Sequence, residues 1–282
     1  MTEPTEPAEH TEPAVEIRDL EVSYGSGRSA VRILHGVSVT VARGHTVGVV
    51  GESGSGKSTL ARTVVGTLRP TAGSVRIAGT DVHAVRGARR KVLRRAVQLI
   101  PQDPYSSLDP RRTIGAALAE ALDPRRANVR KHSGEIAHWL ETVRLPADMM
   151  AKYPHECSGG QRQRVAIARG LMLRPEVVIA DEITSALDVS IQAEILELIA
   201  GLRAELGLTM LFISHNLAVV RQVSDEVVVL YRGDIVEQGP AETLYTRPEH
   251  PYTRKLLDSV PGAPGFDIEP REENPAAAGV AG

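Results

Sequence analysis

Residues 51–59 read Gly-Glu-Ser-Gly-Ser-Gly-Lys-Ser-Thr and follow the apolar run Thr46-Val47-Gly48-Val49-Val50. The spacing predicts a buried strand, a glycine-rich turn, and a helix opened by Lys57 and continued by Leu60, Ala61, Val64 and Val65. Gly-x4-Gly-Lys-Ser is the pattern of a phosphate-binding loop. Its glycines let the backbone curl so that several N–H groups face one anion, where side chains would block the phosphates. The free N–H groups and positive end of the following helix add to that field. In this arrangement Lys57 reaches the outer phosphates and the Ser58 hydroxyl binds Mg²⁺. Gly51, Glu52, Ser53, Gly54, Ser55, Gly56 and Thr59 complete the candidate loop. A nucleoside triphosphate is the expected ligand.

A second constellation bears on what happens to that ligand. Residues 177–180, Val-Val-Ile-Ala, end in Asp181 and Glu182. Carboxylates so placed emerge at the carboxyl edge of a parallel sheet, where open α/β sheets bind ligands. There Asp181 can hold Mg²⁺ through its water shell, and Glu182 can orient and deprotonate an attacking water. The alternative, two surface acids after a core strand, is the weaker reading even for the pair alone, and beside a phosphate loop it weakens further.

Between these sites residues 157–169 read Cys-Ser-Gly-Gly-Gln-Arg-Gln-Arg-Val-Ala-Ile-Ala-Arg. Ser158, Gly159 and Gly160 open a helix whose apolar face carries Val165, Ala168, Leu171 and Met172, which makes either a further anion site or a bare N-cap. The stretch resembles the signature of ATP-binding cassette (ABC) ATPases, usually Leu-Ser-Gly-Gly-Gln. The family pattern continues with Gln102 in Ile100-Pro101-Gln102-Asp103, with Ser185-Ala186-Leu187-Asp188 after Glu182, and with His215 after Met210-Leu211-Phe212-Ile213. Tyr24 stands where such proteins set an aromatic against adenine; simple loop packing is its alternative.

The resemblance spans residues 15 to about 240. It implies an α/β P-loop NTPase of ABC-ATPase fold, with an antiparallel β subdomain and an inserted α-helical subdomain. It implies ATP and Mg²⁺ as ligands, with Glu182, His215 and Gln102 in catalysis and Ser58, Gln102 and Asp181 around the metal. Tyr24, residues 51–59, Ser158, Gly159, Gly160, Gln161 and Asp188 are implied at the nucleotide. Two positions depart from the family: Cys157 replaces Leu, and Ile183 replaces Pro, so the turn after Glu182 loses a fixed φ. Both bear on rate rather than on identity.

The rest of the chain bounds these readings. Its 282 residues suit one domain with a subdomain, and a net charge of −2 gives no general reason to expect nucleic acid. A basic cluster, Arg86, Arg89, Arg90, Lys91, Arg94 and Arg95, lacks nearby aromatics for base stacking and reads as a solvated helix face. His10, His83, His132 and His138 read as surface residues. The single Cys excludes an internal disulfide and suits a reducing compartment. No run approaches the length of a membrane span, and the first residues lack the order of a signal peptide, so any pore is expected on other chains.

The expected organisation is a loose tail over 1–14, where Thr-Glu-Pro recurs; the ATPase domain over 15–238, with helices over about 104–175; a C-terminal segment over 239–260; and a loose tail over 261–282. Residues 15 to about 42 alternate as antiparallel strands broken at 25–27. Residues 73–79 read as a strand and turn. Ile191, Ile195, Leu198, Ile199, Leu202 and Leu206 line one face of a long helix, and strands at 209–214 and 226–231 close the sheet.

Two stretches narrow the resemblance. Gln102-Asp103-Pro104-Tyr105-Ser106-Ser107-Leu108-Asp109-Pro110-Arg111 looks like the segment after the glutamine in ATPase subunits of oligopeptide, dipeptide and nickel importers. Residues 239–245 and 248–257, the latter with His250-Pro251-Tyr252-Thr253, resemble the C-terminal segment of the same subunits. The partners so implied are a second ATPase subunit, identical or different, two membrane permease subunits, and, indirectly, an extracellular substrate-binding protein. The location implied is peripheral, at the cytoplasmic face of the cell membrane. Peptide uptake is the leading expectation and nickel or another small solute the alternative. A phosphonate-metabolism ATPase is more remote. A DNA-repair ATPase is remote too, because the interval between phosphate loop and signature is only about a hundred residues without heptads or cysteine pairs.

Overall fold

A computed structural model describes residues 12–25 and 27–259. The tail expected over 261–282, most of that over 1–14, and His10 lie outside them. Ala14, assigned to the first tail, is instead fully buried: its N–H donates to the Val41 carbonyl and its own carbonyl accepts from Ala78 N–H.

In chain order the elements are β1 (Val15–Tyr24), β2 (Val31–Val41), β3 (Thr46–Val50), α1 (Lys57–Val64), β4 (Ala72–Ile77), β5 (Thr80–Asp81), α2 (Gly87–Ala96) and β6 (Val97–Ile100). A helical stretch follows: α3 (Pro104–Ser107), α4 (Ile114–Leu122), α5 (Val129–Thr142) and α6 (Gly159–Leu171). Then come β7 (Val177–Asp181), α7 (Val189–Leu206), β8 (Thr209–Ser214), α8 (Leu217–Val223), β9 (Glu226–Tyr231), β10 (Asp234–Pro240), α9 (Ala241–Thr246) and α10 (Pro251–Asp258).

The strands form two sheets, a four-stranded antiparallel one ordered β2-β1-β4-β5 and a six-stranded one ordered β10-β9-β3-β8-β7-β6. In the larger sheet β9-β3-β8-β7-β6 run parallel and β10 is antiparallel at its edge. Strands β3, β7 and β8 are buried at every position, as strands covered on both faces must be. Alternation sorts them between two cores. Val47, Val49, Val177 and Ile179 pack toward the antiparallel sheet and α1, while Val50, Val178 and Ala180 pack toward the helical side. On that side Ile114, Leu118, Ile136, Leu140, Met149 and Val165 are each fully buried, which ties the inserted helices into one core with the sheet.

Several details differ from the sequence reading. The strands at 209–214 and 226–231 do not close the sheet: β8 is interior, and the edges are β6 and β10. Strand β10 escapes notice because it is half-exposed, alternates weakly and ends in Gly239-Pro240, and an edge tolerates such a sequence. The boundary expected at 238/239 therefore falls inside a strand. Leu206 is 43 % exposed where α7 ends on left-handed Gly207. His83 is half-buried with a ring nitrogen 3.0 Å from the Thr63 carbonyl, and burial lowers its pKa. The His132 side chain is 16 % exposed, whereas His138 is at the surface. On α2 the basic residues are exposed and Leu93 is its buried anchor.

No helix among the described residues is long and apolar enough to cross a membrane.

Candidate active site

The glycine-rich turn leaves β3 at the carboxyl edge of the parallel strands and enters α1. Two of its glycines are required by their surroundings. A Cβ at Gly51 would sit 2.1 Å from the Leu230 carbonyl oxygen. Gly56, at φ 108°, caps α1 in a left-handed conformation, and a Cβ there would meet Leu34 at 2.6 Å. Among the described residues the N–H groups of Gly54, Gly56, Lys57 and Ser58 donate to no protein acceptor, leaving donors available to an anion. Ser55 is buried with its hydroxyl unpartnered, Glu52, Ser53 and Gly54 are exposed, and Thr59 is half-buried at the helix start.

The Lys57 side chain is 4 % exposed and folds back over this loop. Its Nζ donates to the carbonyls of Gly51 (2.7 Å) and Glu52 (2.9 Å) and lies 3.8 Å from Glu182 Oε1. Burial lowers the Lys57 pKa, and the Glu182 and Asp181 carboxylates oppose that shift.

Strand β7 lies two places from β3 and delivers Asp181 and Glu182 to the same edge. Ser58 Oγ donates to Asp181 Oδ1 at 3.3 Å, joining the loop to the strand end. Asp181 is 8 % exposed, and burial raises its pKa despite the Ser58 hydrogen bond. Three residues from distant segments converge on Glu182. Gln102 Nε2 donates to Oε2 at 3.1 Å, His215 Nδ1 stands 3.3 Å from the same oxygen, and Lys57 faces Oε1. Gln102 also donates to Ser185 Oγ at 3.2 Å.

The Glu182 backbone is held in the left-handed region, at φ 49°, which costs a residue with a Cβ of the order of 1–2 kcal/mol. Three contacts hold it there. Its N–H donates to the Ile213 carbonyl at 2.9 Å, and its carbonyl accepts from Ser185 N–H and Oγ. Ile183, the residue in place of Pro, is 1 % exposed and anchors the turn by burial. The strain thus sits on the carboxylate where the side chains converge.

The signature stands apart from this cluster. Ser158 caps α6, its Oγ accepting from Gln161 N–H at 3.2 Å while Gln161 Oε1 accepts from Ser158 N–H at 2.9 Å, a reciprocal capping box. A Cβ on Gly160 would press on Ile191 at 2.7 Å, and one on Gly159 would touch Leu187. The turn bearing exposed Asp188 therefore packs beside the signature. Among the described residues no hydrogen bond joins Ser158 or Gln161 to the phosphate loop. Cys157 is buried with Sγ 3.7 Å from Met149 Sδ and 3.4 Å from the Tyr153 carbonyl oxygen, and burial pushes its thiol pKa up. Tyr24 ends β1 with 42 % of its surface exposed.

One participant is absent from the sequence reading. The Tyr252 hydroxyl accepts a 3.0 Å hydrogen bond from the backbone N–H of Glu52, inside the glycine-rich turn. The His-Pro-Tyr-Thr string marked this stretch, but nothing in its spacing pointed toward residue 52.

A phosphate-type loop on a parallel sheet, with paired acids at the end of the strand two places away, defines a P-loop α/β nucleotide-binding domain. Comparison with known proteins gives the family. The family model described as "ABC transporter" matches residues 34–185, and that described as "Oligopeptide/dipeptide transporter, C-terminal region" matches residues 236–278. The chain belongs to the ABC transporter ATPases. Its relatives include two proteins named "Putative peptide import ATP-binding protein". The one from Brucella ovis is 48 % identical over 250 residues, covering 88 % of this chain and 79 % of the relative. The one from Brucella abortus is 48 % identical over 251 residues, covering 88 % and 75 %.

Among solved structures, cbiO1 from Clostridium perfringens, part of an ABC transporter complex, aligns with a TM-score of 0.74 at 25 % identity, covering 89 % of this chain and 97 % of that one. A dimeric ATP-binding cassette in a post-hydrolysis state bound to ADP and phosphate aligns at 0.71 with 26 % identity, covering 80 % and 98 %.

Proposed function

We propose that the chain hydrolyses ATP to energise an importer of oligopeptides or dipeptides, working as a peripheral subunit at the cytoplasmic face of membrane permeases. The observation that carries the catalytic half is the convergence of Lys57, Gln102 and His215 on Glu182, one residue after the Asp181–Ser58 pair. The match of residues 236–278 to the oligopeptide/dipeptide C-terminal region, together with the names of the relatives, supports the transported class.

Residues 51–59 cradle the phosphates, with the open N–H groups of Gly54, Gly56, Lys57 and Ser58 as donors. Ser58, Asp181 and Gln102 offer hydroxyl, carboxylate and amide oxygens, the hard donors that Mg²⁺ takes alongside its waters. When bound, the ion neutralises charge on the phosphate oxygens. Glu182 accepts the proton of the attacking water, with Gln102 and His215 orienting it. Lys57, released from its loop carbonyls, meets the outer phosphates.

The signature acts on a second ATPase subunit. Ser158, Gly159, Gly160 and Gln161 make no bond to their own loop, and next to them Val189, beside Asp188, leaves 83 % of its surface in solvent. Two facing chains then hold ATP between loop and signature, and ADP, lacking the terminal phosphate, releases them. That differential affinity is what closes and opens the pair.

Uptake of a labelled dipeptide or oligopeptide in cells lacking this chain tests the reading. Restoration by the full chain but not by Lys57→Ala supports it. Wild-type peptide uptake without the chain, with loss of nickel uptake instead, overturns the peptide assignment in favour of a metal importer.

Tyr24 supplies a separate test of nucleotide binding. If its exposed ring stacks on adenine, Tyr24→Ala weakens ATP binding by about 1–3 kcal/mol, the range found for bases on aromatic side chains, and Tyr24→Trp is tolerated. Equal ATP affinity for Tyr24→Ala and the parent leaves the ring only a packing role.

A further inference from the structure

Tyr252 stands 200 positions from Glu52, yet its hydroxyl closes a hydrogen bond inside the glycine-rich turn. The bonded group matters. Glu52 N–H and Gly51 C=O belong to the same peptide unit, and Gly51 C=O is an acceptor for Lys57 Nζ. That peptide is therefore clamped at both ends, by Tyr252 on one side and by Lys57 on the other. A peptide plane cannot turn one end without turning the other. Loss of the Tyr252 bond leaves the N–H unpaired and frees the carbonyl that docks the lysine.

The placement of Tyr252 is itself built, residue by residue. Glu237 of β10 accepts from the N–H groups of Glu249 (2.9 Å) and His250 (3.0 Å). His250 then caps α10, its Nδ1 accepting from Tyr252 N–H at 3.2 Å, and Pro251 occupies the first turn. The Tyr252 ring lies against Tyr231, centroids 4.1 Å apart, and is 8 % exposed. Tyr231 follows Leu230, whose carbonyl is the atom that forbids a side chain at Gly51. One strand end thus supports both the loop and the tyrosine that holds it.

We infer that Tyr252 is a positioning residue for nucleotide binding, and that the C-terminal segment sets the shape of the phosphate loop through its hydroxyl. The inference rests on the reading of residues 51–59 as the nucleotide loop and extends it to a residue outside the ATPase motifs. It gives His250, Pro251 and Tyr252 a task in this chain distinct from any contact with the membrane subunits.

Tyr252→Phe in the full chain removes the hydroxyl and keeps the ring on Tyr231. The dissociation constant for Mg-ATP, measured by titration calorimetry, and the KM for ATP are expected to rise about three- to tenfold, the effect of one lost hydrogen bond to backbone. The kcat at saturating ATP and the melting temperature are expected to stay near the parent's. Independently of any substitution, the Glu52 amide should exchange with solvent more slowly than those of Ser53 and Gly54. An unchanged KM overturns the inference. So does a kcat that falls with the folded fraction at constant KM, which is the mark of a packing role, or a Glu52 amide that exchanges as fast as its neighbours. If the parent protein binds no ATP, the nucleotide reading falls and takes this inference with it, a result visible before any variant is made.

Discussion

Glu182→Gln is expected to cut ATP turnover by a factor of roughly 10² to 10⁴, the span attributed to a positioned general base, while ATP affinity stays close to the parent's. The substitution is nearly isosteric, so the left-handed backbone at φ 49° and its hydrogen bonds to Ile213 and Ser185 can persist. What it removes is the negative oxygen pair that faces Lys57, Gln102 and His215, the pair proposed to take the proton of water. With chemistry slowed and ATP retained, the closed pair should accumulate, seen as an ATP-dependent dimer by size-exclusion chromatography. Lys57→Ala should behave oppositely, weakening nucleotide binding itself. A Glu182→Gln protein that hydrolyses ATP at near the parent rate would remove Glu182 from the role of base. Unchanged ATP affinity in Lys57→Ala would count against the phosphate loop.

The second large effect concerns Ser158→Arg, which is expected to abolish turnover by blocking the partner's nucleotide while leaving this chain's own ATP binding intact. Ser158 caps α6, and loss of a cap costs about 0.5–2 kcal/mol, so the melting temperature must be followed alongside. The mixing test separates the site from the fold. In a homodimer, Ser158→Arg and Lys57→Ala chains combine into one composite site carrying both defects and one intact site. Random pairing then returns roughly a quarter of the parent activity if the sites act independently. No recovery, with both variants folded and binding as expected, identifies a different chain as the obligatory partner. For the unsubstituted chain, ATPase rate should climb more than linearly with protein concentration, or sharply on adding a second ATPase subunit. Strictly linear kinetics at full rate would sink the shared-site model.

The sequence alone determined the local pieces, because each is written in short-range physics. The turn at 51–59 puts Gly54 (φ 81°) and Gly56 (φ 108°) in the left-handed backbone region that glycine adopts freely, and that local requirement spells a readable string. The signature opens its helix with a capping box closed within four residues, Ser158 to Gln161. The apolar alternation of β1 and β2 and the uniformly buried runs of β3, β7 and β8 follow from period and burial, and so do the core positions of the inserted helices.

Tertiary structure decided what these pieces do to one another. Gln102 meets Glu182 across 80 positions because β6 pairs with β7, and Tyr252 meets Glu52 across 200 because β9 pairs with β3, and no spacing in the chain encodes that order. The strain at Glu182 was likewise invisible, since a φ of 49° on a non-glycine residue persists only where neighbours such as Ile213 and Ser185 hold it. Strand β10 went unread for the complementary reason: at an edge, pairing with β9 supplies the order that its half-polar sequence does not advertise. Motifs report the contacts a segment makes with itself, whereas a hydrogen bond between distant segments leaves no periodicity behind and is settled only by the packing of the whole sheet.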